Sequence, residues 1–298
     1  MNLPTFSLGT FNLKDFFDHD ASLFQERVRL LGEQIRRANL DAVALQEVGS
    51  ETALRALAEF VGGAGMHMSI GTSDKRGIRN ALVSRLPFSE VVVHTRESLP
   101  FPSFFADDAP PFANRIPLRR GVVHGTFQTP LGRVHVLTAH FKSKLGVFLK
   151  DTEGNDIHPT SSREYAEAML RSLVSRGAEA LFVRDLVDQI RQKEPSAHVC
   201  VVGDLNDTLD SLPVRIVRGF GPNQLHSCTS RIEESVRFSA LFGAKKEQID
   251  HLLVSSELFE RTIEAHIDNA ELRDHGPFSP EAPPTVDSDH ALVYARFH

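Results

Sequence analysis

Residues 199–207 read VCVVGDLND. A short Val-rich run bounded by turn residues has the composition of a fully buried strand, and it stops at a glycine followed by two acids and an amide. Asp and Asn bond their own backbone and accept unusual dihedrals, so GDLND has one ordinary explanation as a turn closing a core strand. The other is a site. Burying a charge without a partner costs several kcal/mol, so a strand that delivers Asp204 and Asp207 at its end needs a reason to do so.

Working outward, segment 5–12 reads as a strand, and Ser22 with Gln25 forms a capping-box pattern opening a helix with Phe24, Val28, Leu31, Ile35 and Ala38 on one face. DAVALQ (41–46) is the next strand and 51–60 a short helix; strand-like runs follow at 66–70, 79–84, 89–94, 120–127 and 133–140, close enough to be antiparallel neighbours. Ser161 and Glu164 form a second capping box, and helical periodicity through Leu170, Leu173, Val174, Leu181, Leu186 and Ile190 runs to Pro195, with Gly177 placed to interrupt or kink it. Strands at 197–202, 236–241, 249–254 and 291–297 complete the set. Mixed helices and strands without strict βαβ alternation predict mixed sheets with helices on their outer faces. No segment has linker composition, so one domain over 1–298 is expected. The long irregular stretches 99–117, 141–160 and 273–289 are placed to border a site.

Composition narrows the chemistry. The formal charge of −6 excludes a protein that holds nucleic acid by a global basic field, so any phosphate must meet a local site. No apolar run approaches the roughly 18 residues of a membrane span. Cys200 and Cys228 have no ligand or bridge spacing and are expected as free thiols. MNLPTFSLGTFN lacks a charged and then apolar leader, which makes the cytoplasm the expected location; a removed signal peptide would leave the same start.

Polar residues recur at strand ends along the whole chain: Asn12 after SLGTF, Glu47 after VALQ, His140 after VHVLTA, Asp204 and Asn206 after VCVVG, Asp250 after KEQI, and Asp289 with His290 before ALVYARF. Each alone is explained by a turn, a cap or a satisfied histidine. Together they call for convergence. Carboxylate and amide oxygens suit a hard cation such as Mg²⁺, which is commonly held by one or two carboxylates with phosphate and water. Histidine adds proton transfer near neutral pH. That combination fits metal-assisted hydrolysis of a phosphate ester.

FNLKDF, LQEV, TAHFKSK, VVGDLND, IDHLLVS and SDHALV stand in the order and approximate spacing of the endonuclease/exonuclease/phosphatase superfamily, which the chain resembles from Phe11 to Val293. The resemblance implies the α/β deoxyribonuclease I-like fold, a four-layer αββα sandwich of two mixed β-sheets flanked by helices, with the site at one end. It implies Glu47 as the principal Mg²⁺ ligand (Mn²⁺ or Ca²⁺ as substitutes), with Asn12 and Asp289 nearby as ligands or supports. Asp204 and Asn206 resemble the pair that orients or deprotonates the attacking water and holds the phosphate. Asp250 matches the acid that orients His290, and His140 matches a phosphate contact. Arg115, Lys142 and Lys144 resemble phosphate-contacting cations, for which ordinary solvated charge is the competing explanation. In the deoxyribonuclease branch a glutamate supports the catalytic histidine. Here Arg79 and Asn80 stand in its place, which leaves the role of His140 open and makes Asn80 a candidate substrate contact.

The expected activity is a Mg²⁺-dependent nuclease or phosphodiesterase acting on nucleic acid. The competing expectations are hydrolysis of a small nucleotide, lipid or sugar phosphate, and a non-catalytic phosphate-binding scaffold. GDLND also fits the GDxxD element of calcineurin-like metallophosphoesterases, but their GNH motif is absent. Phe101, Phe104, Phe105 and Phe112 either stack unpaired bases or pack their loop onto the core.

Overall fold

The computed structural model describes residues 5–102, 115–243, 245–276 and 285–298. Phe104, Phe105 and Phe112 lie outside them, whereas Phe101 is partly buried and packs on the core. In chain order the elements are β1 (Phe6–Phe16), α1 (Ala21–Ala38), β2 (Ala42–Val48), α2 (Glu51–Gly62), β3 (His67–Ile70), β4 (Arg79–Ser84), β5 (Phe88–His94), β6 (Val122–Thr129) and β7 (Gly132–His140). Next come β8 (Leu149–Lys150), β9 (Asp156–Ile157), α3 (Ser162–Lys193), β10 (His198–Asp204), α4 (Leu212–Arg218), β11 (Leu225–Ser227), β12 (Ala240–Phe242) and β13 (Lys245–Glu247). The last are β14 (Asp250–Ser255), α5 (Ser256–Glu260), β15 (Thr262–Asp268) and β16 (Leu292–Phe297).

Two six-stranded sheets result, ordered β15-β16-β1-β2-β4-β3 and β11-β14-β10-β7-β6-β5. Strand alternation sorts the side chains into layers. Phe6, Leu8, Ala42, Ala44, Val293 and Ala295 of the first sheet meet Val134, Val136, Cys200, Val202, Leu252 and Val254 of the second in one buried layer. The alternate residues face outward: Phe11, Val43 and Leu45 under α1 and α2, and Leu137, Val199, Val201 and Leu253 under α3 and α4. These four layers are the αββα sandwich of the deoxyribonuclease I-like fold. No helix among the described residues is long and apolar enough to cross a membrane, and both cysteines are free and buried.

Three local expectations change. Asp20, not Ser22, caps α1: its carboxylate accepts from the amides of Ser22 and Leu23, where a full negative charge also meets the positive helix end. The helix α3 runs unbroken through Gly177, because Ala178, Phe182 and Val183 bury against the sheet and offset the roughly 1 kcal/mol a helical glycine costs. The run 236–241 shortens to a β12–β13 hairpin. The edge strand β11 is only three residues long and β15 buries only Thr262 and Ile267, so alternation reveals neither.

A file of imidazoles crosses β5, β6 and β7: His94 Nε2 lies 3.2 Å from His124 Nδ1, and His124 Nε2 lies 2.9 Å from His135 Nδ1. Burial, and then the neighbouring His135, His94 and Arg133, push His124 down to about 3 from 6.5. The unfolded chain therefore binds a proton that the folded chain refuses, and stability falls as pH drops from 6.5 toward 3. His124→Gln should recover on the order of 2 kcal/mol of the stability lost between neutral and acid pH. Denaturant unfolding at two pH values checks this, and an unchanged pH slope in the variant contradicts it.

Candidate active site

Register gathers the residues at one end of the sandwich. In the second sheet Asp204 pairs with His140 across the parallel β10–β7 ladder and with Asp250 across the antiparallel β10–β14 ladder, so three inward-facing side chains stand in one row. In the first sheet Asn12 continues the inward series Phe6, Leu8, Thr10 and pairs with Gln46. The glycine before Asp204 is dictated by sterics: at Gly203 φ is +141°, and a Cβ would stand 1.8 Å from the carbonyl oxygen of Ala139.

Glu47 reaches the site through a fault in the ladder. Asn12 pairs with Gln46 and Phe16 with Val48, so Leu13–Asp15 face the single residue Glu47. Val43, Leu45 and Val48 face outward, and by simple alternation Glu47 would do the same. The bulge, with Glu47 at φ +62°, takes it out of that series, as bulges beside active sites do when they re-aim a side chain. Lys14 (φ 50°) and Asp15 (φ 47°) share the left-handed region. The Asp15 amide donates to Glu47 Oε2 at 2.8 Å.

Asp204 is the hub. Its carboxylate accepts from Asn12 Nδ2 at 3.0 Å, from the Asn206 amide at 2.8 Å and from Asn206 Nδ2 at 3.2 Å. His140 Nε2 lies 3.4 Å away, and 3.9 Å from Glu47 Oε1. His290 Nε2 lies 4.0 Å from Asp204, while its Nδ1 donates to Asp250 Oδ2 at 2.8 Å. Ser239 Oγ donates to the same Asp250 oxygen at 2.6 Å, and Ser288 Oγ ties the backbone of His290 to that of Asn12.

Charge follows from these contacts. Burial opposes the imidazolium of His290, but Asp250 and its hydrogen bond, then Asp204 and Asp289, carry it up to about 10. Burial raises Asp204 to about 7, with Asp250 adding to the rise and His290 working against it. His140 is driven well below its ordinary value by burial, Arg120, His290 and Arg76, so it is neutral. The site thus holds a cationic imidazole, a neutral one, and a carboxylate of unusual basicity between them.

A second set of charges lies at the rim. Lys14 Nζ pairs with Asp289 and lies 3.1 Å from His275 Nδ1; Arg76 pairs with Asp15 and lies 3.7 Å from Glu47 Oε2. Sequence reading assigned neither cation: Lys14 stands inside β1, two residues past Asn12, and Arg76 lies in the β3–β4 connection. It also missed Arg120, a buried guanidinium that donates to the carbonyls of His140 (3.2 Å) and Phe141 (2.9 Å) and pairs with Asp74 at 3.1 Å. The one available signal was an arginine opening the strand-like run 120–127.

Other expected substrate contacts point elsewhere. Lys142 Nζ donates to Ser143 and Leu145 oxygens within its own loop, and Lys144 pairs with Glu247 at 2.6 Å. Asn80 is buried and donates to the carbonyl of Gly121. Arg115 is exposed, and among the described residues no hydrogen bond or ion pair joins it to the cluster.

The donor set fits a hard divalent cation. Asp204, Asp250 and His290 each offer an atom, all within 4.8 Å of one another, and Asp250 Oδ1 is buried without a partner. A protonated His290 has no lone pair to give, which leaves the carboxylate oxygens of this group as the donors, and carboxylate oxygen suits a hard divalent cation.

Known proteins bear on this arrangement. The model of the Endonuclease/Exonuclease/phosphatase family matches residues 9–290. No curated protein matches by sequence. Among solved structures, TDP2 from Caenorhabditis elegans superposes with a TM-score of 0.60 at 16% identity, over 98% of this chain and 74% of that one. An AP endonuclease from Archaeoglobus fulgidus gives 0.59 at 12%, over 98% and 99%. TDP2 from D. rerio complexed with single strand DNA product gives 0.56 at 15%, over 99% of both chains. At these identities the likeness is one of fold.

Proposed function

The chain belongs to the endonuclease/exonuclease/phosphatase family of phosphoester hydrolases, and on that premise we propose that it is a Mg²⁺-dependent phosphodiesterase that cuts nucleic acid, acting as one domain. The observation that carries the reading is Asp204, buried and raised in pKa, within reach of both an imidazolium and a neutral imidazole.

Glu47, with Asn12 and Asp289, would hold the cation, which when bound supplies Lewis acidity toward a phosphoryl oxygen and makes water more acidic. Asp204 takes the proton of the attacking water, and Asn206 orients that water. His290, kept charged by Asp250, donates to a phosphate oxygen on which charge develops. Neutral His140 donates a hydrogen bond at the phosphate. Lys14 and Arg76 at the rim are already paired with carboxylates, so what supports nucleic acid is the likeness of fold to an AP endonuclease and to a TDP2 complexed with single strand DNA product.

The test is a panel of single-stranded, duplex and abasic DNA, RNA and small phosphoesters with Mg²⁺, Mn²⁺ and Ca²⁺. Cleavage of a nucleic acid that chelator abolishes is expected; activity on small phosphoesters alone would move the substrate class. Glu47→Ala should shift the Mg²⁺ titration of activity upward by about tenfold or more. A titration identical to wild type would remove Glu47 from the ligand set.

A further inference from the structure

We propose that Arg27, on α1 and outside the catalytic cluster, is the positioning residue that holds Glu47 in its metal-binding geometry, acting through the left-handed Lys14–Asp15 turn. The proposal rests on reading Glu47 as the cation ligand.

A charged residue on the core-facing side of a helix is a cost unless fully bonded. Arg27 stands there among Phe24, Val28 and Leu31, 5% exposed. Its guanidinium lies 5.7 Å over the Phe16 ring. It donates to three consecutive carbonyls, Leu13 (2.5 Å), Lys14 (2.6 Å) and Asp15 (2.9 Å). These belong to the bulge opposite Glu47, in which two successive non-glycine residues hold positive φ. Each such residue is strained and persists only where the surroundings over-determine it. Arg27 supplies that constraint: a planar fork with five donors can bind three carbonyls at once, and a lysine ammonium on a flexible stem cannot hold the same geometry.

The turn delivers three contacts to the site. The Asp15 amide fixes Glu47 Oε2, leaving Oε1 on the side of His140. The Lys14 amide donates to Asn12 Oδ1 at 2.9 Å, and the Asp15 carboxylate holds Arg76. Released, the chain would relax from positive φ, and the Asp15 amide would leave Glu47.

The experiment measures Mn²⁺ affinity of the full chain by paramagnetic titration, together with melting temperature, in wild type, Arg27→Lys, Lys14→Gly and the double variant. Glycine adopts φ near +50° without strain and so reduces the need for the clamp. Arg27→Lys should weaken Mn²⁺ binding by about tenfold, the scale for losing an outer support of a ligand. In the Lys14→Gly background the same change should cost about threefold or less, a coupling that a double-mutant cycle isolates. Wild-type affinity in folded Arg27→Lys, or equal losses in both backgrounds, overturns the proposal and makes Arg27 a residue of general stability. Unfolded Arg27→Lys beside a folded double variant supports the clamp, whereas loss of folding in both backgrounds overturns it. Absence of Mn²⁺ binding in wild type would instead defeat the ligand role of Glu47 on which the proposal rests.

Discussion

Asp204→Ala and His290→Ala are each expected to lower turnover on a phosphodiester by at least about 10²-fold, the scale of losing a positioned acid or base. Alanine at 204 removes the acceptor for Asn12 Nδ2 and for both Asn206 donors, and with it the carboxylate facing both imidazoles. Alanine at 290 removes the cation that Asp250 and Asp204 sustain at about 10. Because the two act as one unit, the double variant should fall little below the worse single one. His290→Ala also leaves Asp250 buried with Ser239 as its remaining side-chain donor, so His290→Gln serves where alanine does not fold. A folded variant that turns over near the wild-type rate would remove that residue from the mechanism.

Gly203→Ala should destabilise the fold by about 3–5 kcal/mol, combining a forbidden backbone conformation with overpacking. The added methyl would meet backbone, the Ala139 carbonyl oxygen at 1.8 Å and its carbon at 2.9 Å, with φ at +141° besides. No rotamer relieves such a clash; β10 and β7 must separate where Asp204 pairs with His140. Any folded fraction should therefore lose activity along with stability. Denaturant unfolding measures the first effect, and a loss under about 1 kcal/mol would show that the ladder there yields more readily than a packed sheet should.

Strand ends and helix faces were legible because burial imposes a period on the sequence. VCVV, ALVYARF and the Phe24–Val28–Leu31 face each lie in the layer their pattern predicts. Asp204, Asp250 and His140 could be named for the same reason: Asp204 and His140 end apolar strands and Asp250 opens one, and in-register pairing puts those ends together. The period also failed instructively. Arg27 occupies an apolar face, Glu47 falls out of alternation, and Lys14, within the β1 bulge, and Arg76 and Arg120, in connections, carry no periodic signal.

Alternation of apolar residues and the polar punctuation that ends it were enough to predict mixed sheets with helices on their outer faces and to mark the polar residues at the strand ends, since both follow from which side chains must leave water; the four-layer sandwich came from the resemblance to a family. Partnership was decided only in three dimensions: which cation meets which carboxylate, which lysine turns back on its own loop, and which buried arginine grips a left-handed turn. Those outcomes depend on distances between segments remote in the chain. A one-dimensional pattern records solvent preference and carries no such distance.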